Sequence, residues 1–285
     1  MALKKKTDNG FAEAVEEVEE QSLRQVNTDT PVTDEDGYVH EEPMLYGYKD
    51  PETGILHNTF SYREMDGRDE EAISKGDVRS NGAKLSNILV ERCVSQIGDI
   101  KKKDIGPKAW GDLVRRLYGG DIDYMVLKIR AITKGKIVTF THKCPNCNTK
   151  LTTEVSCDEF KTSTLEGNEE IPFTLPGRGY RDSKGGYHKE GTIRLMNGYD
   201  RELVTPVMAK NRANGVTSVL TRIMTFNDGT PVFAENVKSM SVKDRDYLEK
   251  LHNDNNFGVD MSLEDVQCTV CGNDLSDSVV QSDFF

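Results

Sequence analysis

Cys144-Pro145-Asn146-Cys147-Asn148 and Cys268-Thr269-Val270-Cys271-Gly272 are the two stretches whose reading decides the fold of this chain. Each is a Cys-x-x-Cys turn with the bite of a zinc knuckle, in which a two-residue spacer lets both sulfurs face one metal ion. The residue after the second cysteine must take left-handed backbone geometry, and Asn148 and Gly272 are the residue types that tolerate it. Two such turns supply four thiolates, Cys144, Cys147, Cys268 and Cys271. Four thiolates close a tetrahedral structural site and leave no position for a substrate, so the expected zinc is a staple and not a catalyst. Local zinc ribbons separate their pairs by roughly 15–20 residues. Here the first cysteines of the two pairs are 124 positions apart, so the metal is expected to join distant parts of the chain.

The composition fits a protein held partly by metal. The chain has 285 residues, 36% of them hydrophobic, with a mean hydropathy of −0.60. That is polar for a globular protein and predicts segments outside any core. No apolar run approaches a transmembrane span, and Met1-Ala2-Leu3-Lys4-Lys5-Lys6 has no apolar stretch behind it, which predicts a soluble protein without a secretory signal. Six cysteines, four in metal-type pairs, suit a reducing compartment better than a disulfide framework. Of the other two, Cys93 lies in an apolar helical stretch and reads as a small buried hydrophobe; Cys157 is either a spare ligand or an inert thiol. His142 either replaces a cysteine as ligand or packs beside the first knuckle.

The net charge is −11, of which −8 falls in residues 1–50. A body this near neutrality exerts little pull on a phosphate backbone, which disfavours nucleic acid as a partner. Phe11, Ala14, Val15 and Val18 follow helical spacing among glutamates, predicting a short amphipathic helix that orders on a partner. Residues 27–54, rich in Asp, Thr, Pro and Gly, read as linker, so 1–54 is expected to be an acidic arm.

The remainder reads as one unit written twice. Phe60-Ser-Tyr-Arg-Glu-Met65 followed by Asp66-Gly-Arg-Asp69 has its counterpart in Thr192-Ile-Arg-Leu-Met196 followed by Asn197-Gly-Tyr-Asp200. In both, an Asn or Asp with an acid three positions on marks a helix start. An apolar helical stretch follows, around Ile88 to Ile97 and Val219 to Met224. A second start, Asp121-Ile-Asp123-Tyr124, matches Asp244-Arg-Asp246-Tyr247, and these acids read as helix caps better than as paired catalytic carboxylates. The offsets are 131, 123 and 124 at Asp66/Asn197, Asp121/Asp244 and Cys144/Cys268. The expected fold is α+β: two related, mainly helical lobes, 55–157 and 192–285, each ending in a β-hairpin zinc knuckle. Residues 158–191 form a connecting loop or hairpin, with Arg178, Arg181, Lys184, His188 and Lys189 as a modest basic cluster on it. Lys136–Phe140 and Lys150–Val155 give the first knuckle good strand context; the second, around Val266 and Val279-Val280, has less.

No P-loop, dinucleotide fingerprint, nucleophile elbow or His-Glu-x-x-His is present. A zinc deaminase would need proline before its Cys-x-x-Cys and an upstream His-x-Glu or Cys-x-Glu, whereas Pro145 lies inside the pair. A thioredoxin-like redox role would need a strand-to-helix context that a hairpin knuckle lacks.

Met65-Asp-Gly-Arg-Asp-Glu70 opening a helix resembles tail assembly and baseplate proteins of tailed phages. So does the run Asp121-Ile-Asp-Tyr-Met-Val-Leu-Lys-Ile-Arg130, Gly135, Phe140, Cys144-Pro-Asn-Cys147. It is similar to the baseplate hub family of T-even-like contractile phages, over roughly residues 55–160 and more faintly 190–275. The resemblance implies a non-enzymatic structural or assembly role, with other tail and baseplate proteins as partners. It also implies a place in the host cytoplasm during assembly, or in the virion tail. A zinc-ribbon nucleic-acid-binding or transcription-related protein is the alternative that fits the knuckles but not the charge. Homo- or hetero-oligomerisation, including closure of the metal site across a dimer, stays open.

Overall fold

The computed structural model describes residues 33–285, apart from 166–168, 264–265, 276–278, 283 and 285. The amphipathic segment at Phe11–Val18 lies outside the described residues. The fold is mixed α/β and its first layer is a four-stranded antiparallel sheet in the order β1-β2-β3-β4: β1 Tyr38–Lys49, β2 Leu56–Arg63, β3 Val94–Ile97 and β4 Ile100–Lys101. Helices α1 (Gly67–Ile73), α2 (Gly76–Arg79) and α3 (Gly82–Cys93) connect β2 to β3, and α4 (Lys102–Arg116) and α5 (Gly119–Lys134) follow β4. Phe60, Tyr62, Leu89, Ile97, Trp110, Met125 and Ile129 form the centre of this first core, all at or below 1% exposure. Burying each large side chain stabilises by about 1.5–3 kcal/mol. Trp110, whose amphipathic setting suits either a core or an interface, is fully buried in this core, and its indole donates to the Glu91 carbonyl at 3.1 Å.

Strand β1 corrects the linker reading of 27–54. Its Val39, Met44 and Tyr48 are buried against the first core. Its alternation is hidden by register shifts between Val39 and Glu42 and between Pro43 and Tyr48, with Glu41 at φ 56°. Such bulges break the period of two on which a sequence reading depends. Glu42, which looks like a linker charge, pairs with Lys128 of α5 at 2.7 Å.

The chain then forms the hairpin β5 (Ile137–Lys143) and β6 (Lys150–Ser156), followed by β7 (Lys161–Ser163). Residues 158–191, expected as a connector, also carry β8 (Glu170–Thr174) and a small hairpin, β9 (Tyr180–Arg181) with β10 (Tyr187–His188). Phe173, Leu175 and Tyr180 from this span are buried, so it belongs to a core and is not only a surface loop. His188, part of the expected basic cluster, is held between Asp182 at 3.1 Å and Asp228 at 2.6 Å.

The second sheet has the order β8-β11-β12, with β11 Glu190–Arg194 and β12 Met224–Phe226. Helices α6 (Gly198–Lys210) and α7 (Arg212–Ile223) connect β11 to β12, and α8 (Ala234–Lys238) and α9 (Val242–Asp254) follow. The detail matches the first part closely. Asp66 and Asn197 are N-caps with full capping boxes to Asp69 and Asp200. Asn81 and Asn211 cap α3 and α7, each of 12 residues and each running directly into a strand. Arg63 grips Asp69 at 2.7 Å, and Arg194 grips Asp200 at 2.5 Å.

The third position of α5 and of α9 also corresponds; Ser241 caps α9, accepting from the Asp244 N–H at 3.2 Å and donating to Asp244 Oδ2 at 2.7 Å, but the two carboxylates do more than cap. Asp121 accepts from the backbone N–H of Tyr46 and Gly47 at 3.0 Å each; Asp244 accepts from Gly177 at 2.5 Å and Gly179 at 3.0 Å. Both carboxylates are at most 1% exposed and clasp backbone outside their own helices. Burial pushes the Asp121 carboxyl up, and the N–H donors from Gly47, Tyr46 and Leu45 oppose it. Gly47 sits at φ +124°, and a Cβ there would meet the His57 carbonyl at 2.5 Å, so only glycine admits this approach. Asp123 instead pairs with Arg201 at 2.9 Å, so Asp121 and Asp123 share no site.

The end of the chain does not stay with the second sheet. Strand β13 (Gly258–Asp260) pairs with β7, and β14 (Val279–Ser282) pairs with β5, giving a sheet β14-β5-β6. The expected boundaries at 157/158 and 191/192 are therefore crossed by strand pairing. Leu127, Val138, Phe140, Phe160 and Leu263 form a separate small core there.

Asp69 is fully buried and accepts from two guanidiniums, Arg63 Nη1 and Arg92 Nε, both at 2.7 Å. Burial raises its pKa, but the Arg63, Asp66 N–H and Arg92 hydrogen bonds more than offset this and hold it at about 2. Replacing Asp69 with Asn leaves two partly exposed guanidiniums without their shared carboxylate and should cost roughly 1–3 kcal/mol in urea unfolding. The native carboxylate's contribution is present above about pH 4 and is lost as pH falls towards 2. A loss under about 1 kcal/mol, or one unchanged at pH 3, contradicts this role.

Candidate metal centre

The first knuckle sits at the tip of the β5–β6 hairpin, whose register runs unbroken from Ile137↔Ser156 to Lys143↔Lys150. Within the turn, Cys144 N–H donates to the Thr149 carbonyl and Asn148 N–H to the Cys144 carbonyl, both at 2.9 Å. The second turn repeats this: Cys268 N–H to the Asn273 carbonyl and Gly272 N–H to the Cys268 carbonyl, both at 2.8 Å. Asn148 has φ 58° and Gly272 φ 71°, the left-handed geometry expected after the second cysteine. The weaker strand context of the second turn is also found. Among the described residues it has a single bridge, Gln267↔Asp274, with the Leu275 N–H donating to the Val266 carbonyl at 2.7 Å.

The two turns face each other. Cys144 Sγ lies 3.6 Å from Cys271 Sγ, and Cys147 Sγ lies 3.6 Å from Cys268 Sγ. All four sulfurs fall within 4.8 Å of one another, and none is in a disulfide. Zinc–sulfur bonds of about 2.3 Å at tetrahedral angles place sulfurs about 3.8 Å apart. Two of the separations lie near that value and the others fall within 4.8 Å, so the four thiols could hold a metal ion. Cys144 and Cys268 are buried with Leu275, Cys147 is half-buried and Cys271 is exposed. Cys147 is pushed down to about 6, first by the Thr149 hydroxyl 3.2 Å away; Cys271 is lowered too, first by the Asn273 backbone N–H. Cys144 moves the other way, up to about 11: the Cys147 backbone N–H opposes the rise, while burial and the Cys147 and Cys271 thiols beside it drive it, so the cluster holds its first negative charge on Cys147.

The other sulfur and nitrogen candidates do not join the cluster. Cys157 is buried in the small core beside Phe140 and Phe160, and burial raises its pKa. Cys93 is buried beside Asp69 and is pushed up to about 12, chiefly by burial. His142 lies on the buried face of β5, and neither ring nitrogen has a hydrogen-bond partner among the described residues. It is not a member of the four-sulfur cluster. No helix among the described residues is long and apolar enough to cross a membrane.

A family model described as T4 bacteriophage base plate protein matches residues 54–247. The chain belongs to the T4 bacteriophage base plate protein family. The match covers well over half of the chain, including the first knuckle, and stops before the second. No curated protein and no solved structure matches. Membership makes this a baseplate protein of a phage tail, in agreement with the broad resemblance drawn from the Met65–Glu70 and Asp121–Cys147 motifs.

Sequence reasoning named the four cysteines and read Asp69 and Asp200 as helix-start acids, but not the arginines that each of them holds. The signal was present: an arginine lies three positions before each N-cap and an aspartate three after it, at Arg63/Asp69 and Arg194/Asp200. Thiol chemistry tests the burial pattern. In chelator-treated protein at pH 7, Cys147 and Cys271 should react first with a thiol reagent, as the accessible, acidified pair. Cys93 and Cys157 should react only on unfolding. Mass mapping that finds Cys93 or Cys157 labelled at native rates would contradict the structure.

Proposed function

We propose that this chain is a non-enzymatic structural or assembly component of the baseplate, in its hub region. In this reading Cys144, Cys147, Cys268 and Cys271 bind one structural zinc ion. The convergence of four sulfurs from turns 124 positions apart carries it. Two related lobes, one on a four-stranded and one on a three-stranded sheet, each with a capping-box helix, would each send one knuckle to the shared ion. The second knuckle would reach it through the β13 and β14 pairings.

The physical case is one of connection. Among the described residues the second turn meets the first through Leu275 and the neighbouring β14–β5 and β13–β7 pairings, and a shared ion would add a direct link between the two turns. A metal crosslink closing a loop of this length removes about 4–5 kcal/mol of unfolded-chain entropy. That suits a part that must keep its shape while neighbours are added, with other tail proteins as partners. A closed tetrathiolate has no open position for a substrate. The reading places the protein in the host cytoplasm during assembly and in the virion tail if it remains there.

Elemental analysis of purified protein should find about one zinc per chain. Replacing Cys271 with Ser should remove it and lower unfolding stability by about 3–5 kcal/mol, with the β5–β6 hairpin losing hydrogen-exchange protection as well as the C-terminal segment. No bound metal in protein purified without chelator, or a Cys271→Ser variant of unchanged stability, contradicts the proposal.

A further inference from the structure

A cleft of about 720 Å³ opens on the far side of the first core, between the start of β1, the end of β3 and the beginning of α4. Its lining is cationic although the chain as a whole is acidic: Arg63, Arg92, Lys101, Lys102 and Lys103 all face it. Asp34 and Asp36 line it too, and Asp69 lies behind Arg63 and Arg92; of these three acids Asp69 and Asp34 are already engaged. Asp69 is the buried carboxylate shared by Arg63 and Arg92, which leaves one positive charge of that trio uncompensated. Asp34 accepts from its own turn and from His40 at 2.6 Å.

Lys102 is the most telling of the lining groups. Its ammonium donates to the carbonyls of Glu91 at 2.7 Å and Arg92 at 3.4 Å, at the end of α3, and has no carboxylate within ion-pair distance among the described residues. Burial, offset in part by Glu91, lowers its pKa. An ammonium has three donors, so one is left for a ligand that brings negative charge. Lys101 and Lys103 flank it, both exposed and without an ion pair among the described residues. At the rim α4 is broken by Gly106 at φ 81°, so the ten-residue helical segment beginning at Pro107 turns its positive end to the same cleft.

We infer that this cleft docks an acidic, Glu/Asp-rich segment of a neighbouring protein. Charge complementarity sets the class of ligand. The spread of the cations sets its shape: they come from the end of β2, the last turn of α3 and three consecutive positions of β4 and α4. Arg63, Arg92 and Lys102 gather around Asp69 and the end of α3, while Lys101 and Lys103 stand exposed on either side of Lys102, so the positive charge extends past one group's reach and suits successive carboxylates along a chain. The cleft is separate from the four sulfurs, so the inference does not depend on the proposed zinc.

The test uses the full metal-loaded chain and a short fluorescein-labelled Glu/Ala peptide, read by anisotropy at low ionic strength. The peptide should bind, and Lys101→Glu with Lys103→Glu should weaken it about tenfold or more. Lys102→Met should weaken it as well. Lys210→Glu with Lys250→Glu, the same charge change at exposed positions on α6 and α9, should alter it less than about twofold. Circular dichroism and zinc content on the same samples separate loss of the cleft from loss of the fold or the metal. Absence of binding, equal weakening by both double variants, or equal binding of a Gln/Ala peptide would overturn the inference. Inorganic phosphate displacing the peptide far better than chloride at matched ionic strength would overturn it too, by making the cleft a phosphate site.

Discussion

Everything at one end of this molecule depends on four sulfurs being brought within 4.8 Å of one another by turns that are far apart in the chain. Each turn is fixed locally by two short backbone hydrogen bonds and one left-handed residue, so the geometry of each pair is set before the pairs meet. What must be supplied from elsewhere is their meeting. The β14–β5 and β13–β7 pairings bring the C-terminal segment alongside the first hairpin, and the small core around Phe140, Phe160 and Leu263 fills the space between. An ion shared by all four thiolates would lock that arrangement with far less apolar burial than a core of the usual kind.

The rest of the frame repeats a second economy: buried aspartates at the third position of helices. Asp69 and Asp200 each close a capping box and hold an arginine from the preceding strand. Asp121 and Asp244 hold backbone N–H groups of the segments that pass over them. A buried charge is tolerated only where its hydrogen-bonding capacity is met, and these four are. The two cores are joined by the same kind of contact: Arg115 reaches Glu91 at 3.0 Å and Glu202 at 2.9 Å, and Asn87 donates to the Gly198 carbonyl at 3.1 Å. The fold therefore relies on polar clasps where a more hydrophobic chain would rely on volume, which accords with its low mean hydropathy.

Much of this was legible in the sequence because its signals are local. Cys-x-x-Cys followed by Asn or Gly specifies a turn, and Asp-x-x-Asp specifies a helix start; Asn148, Gly272, Asp66 and Asn197 all take the geometry their type implies. Strand β1 was not legible, since its bulges at Glu41 and Pro43–Tyr48 break the alternation and its charges are paired across space, Glu42 with Lys128. Nor was the partner of β14, because strand pairing over more than a hundred positions leaves no periodic trace. The roles of Asp121 and Asp244 escaped for the same reason: a carboxylate at a helix start looks like a cap until the backbone that crosses it is known. The basic cleft combines Arg63, Arg92 and Lys101–Lys103, which are scattered in sequence and gathered only by the sheet.

The central claim is one ion held by sulfurs alone. X-ray absorption at the zinc edge of the purified protein measures this directly. The account predicts a single shell of four sulfurs at about 2.3 Å. A shell containing nitrogen or oxygen, or fewer than four sulfurs, would contradict it.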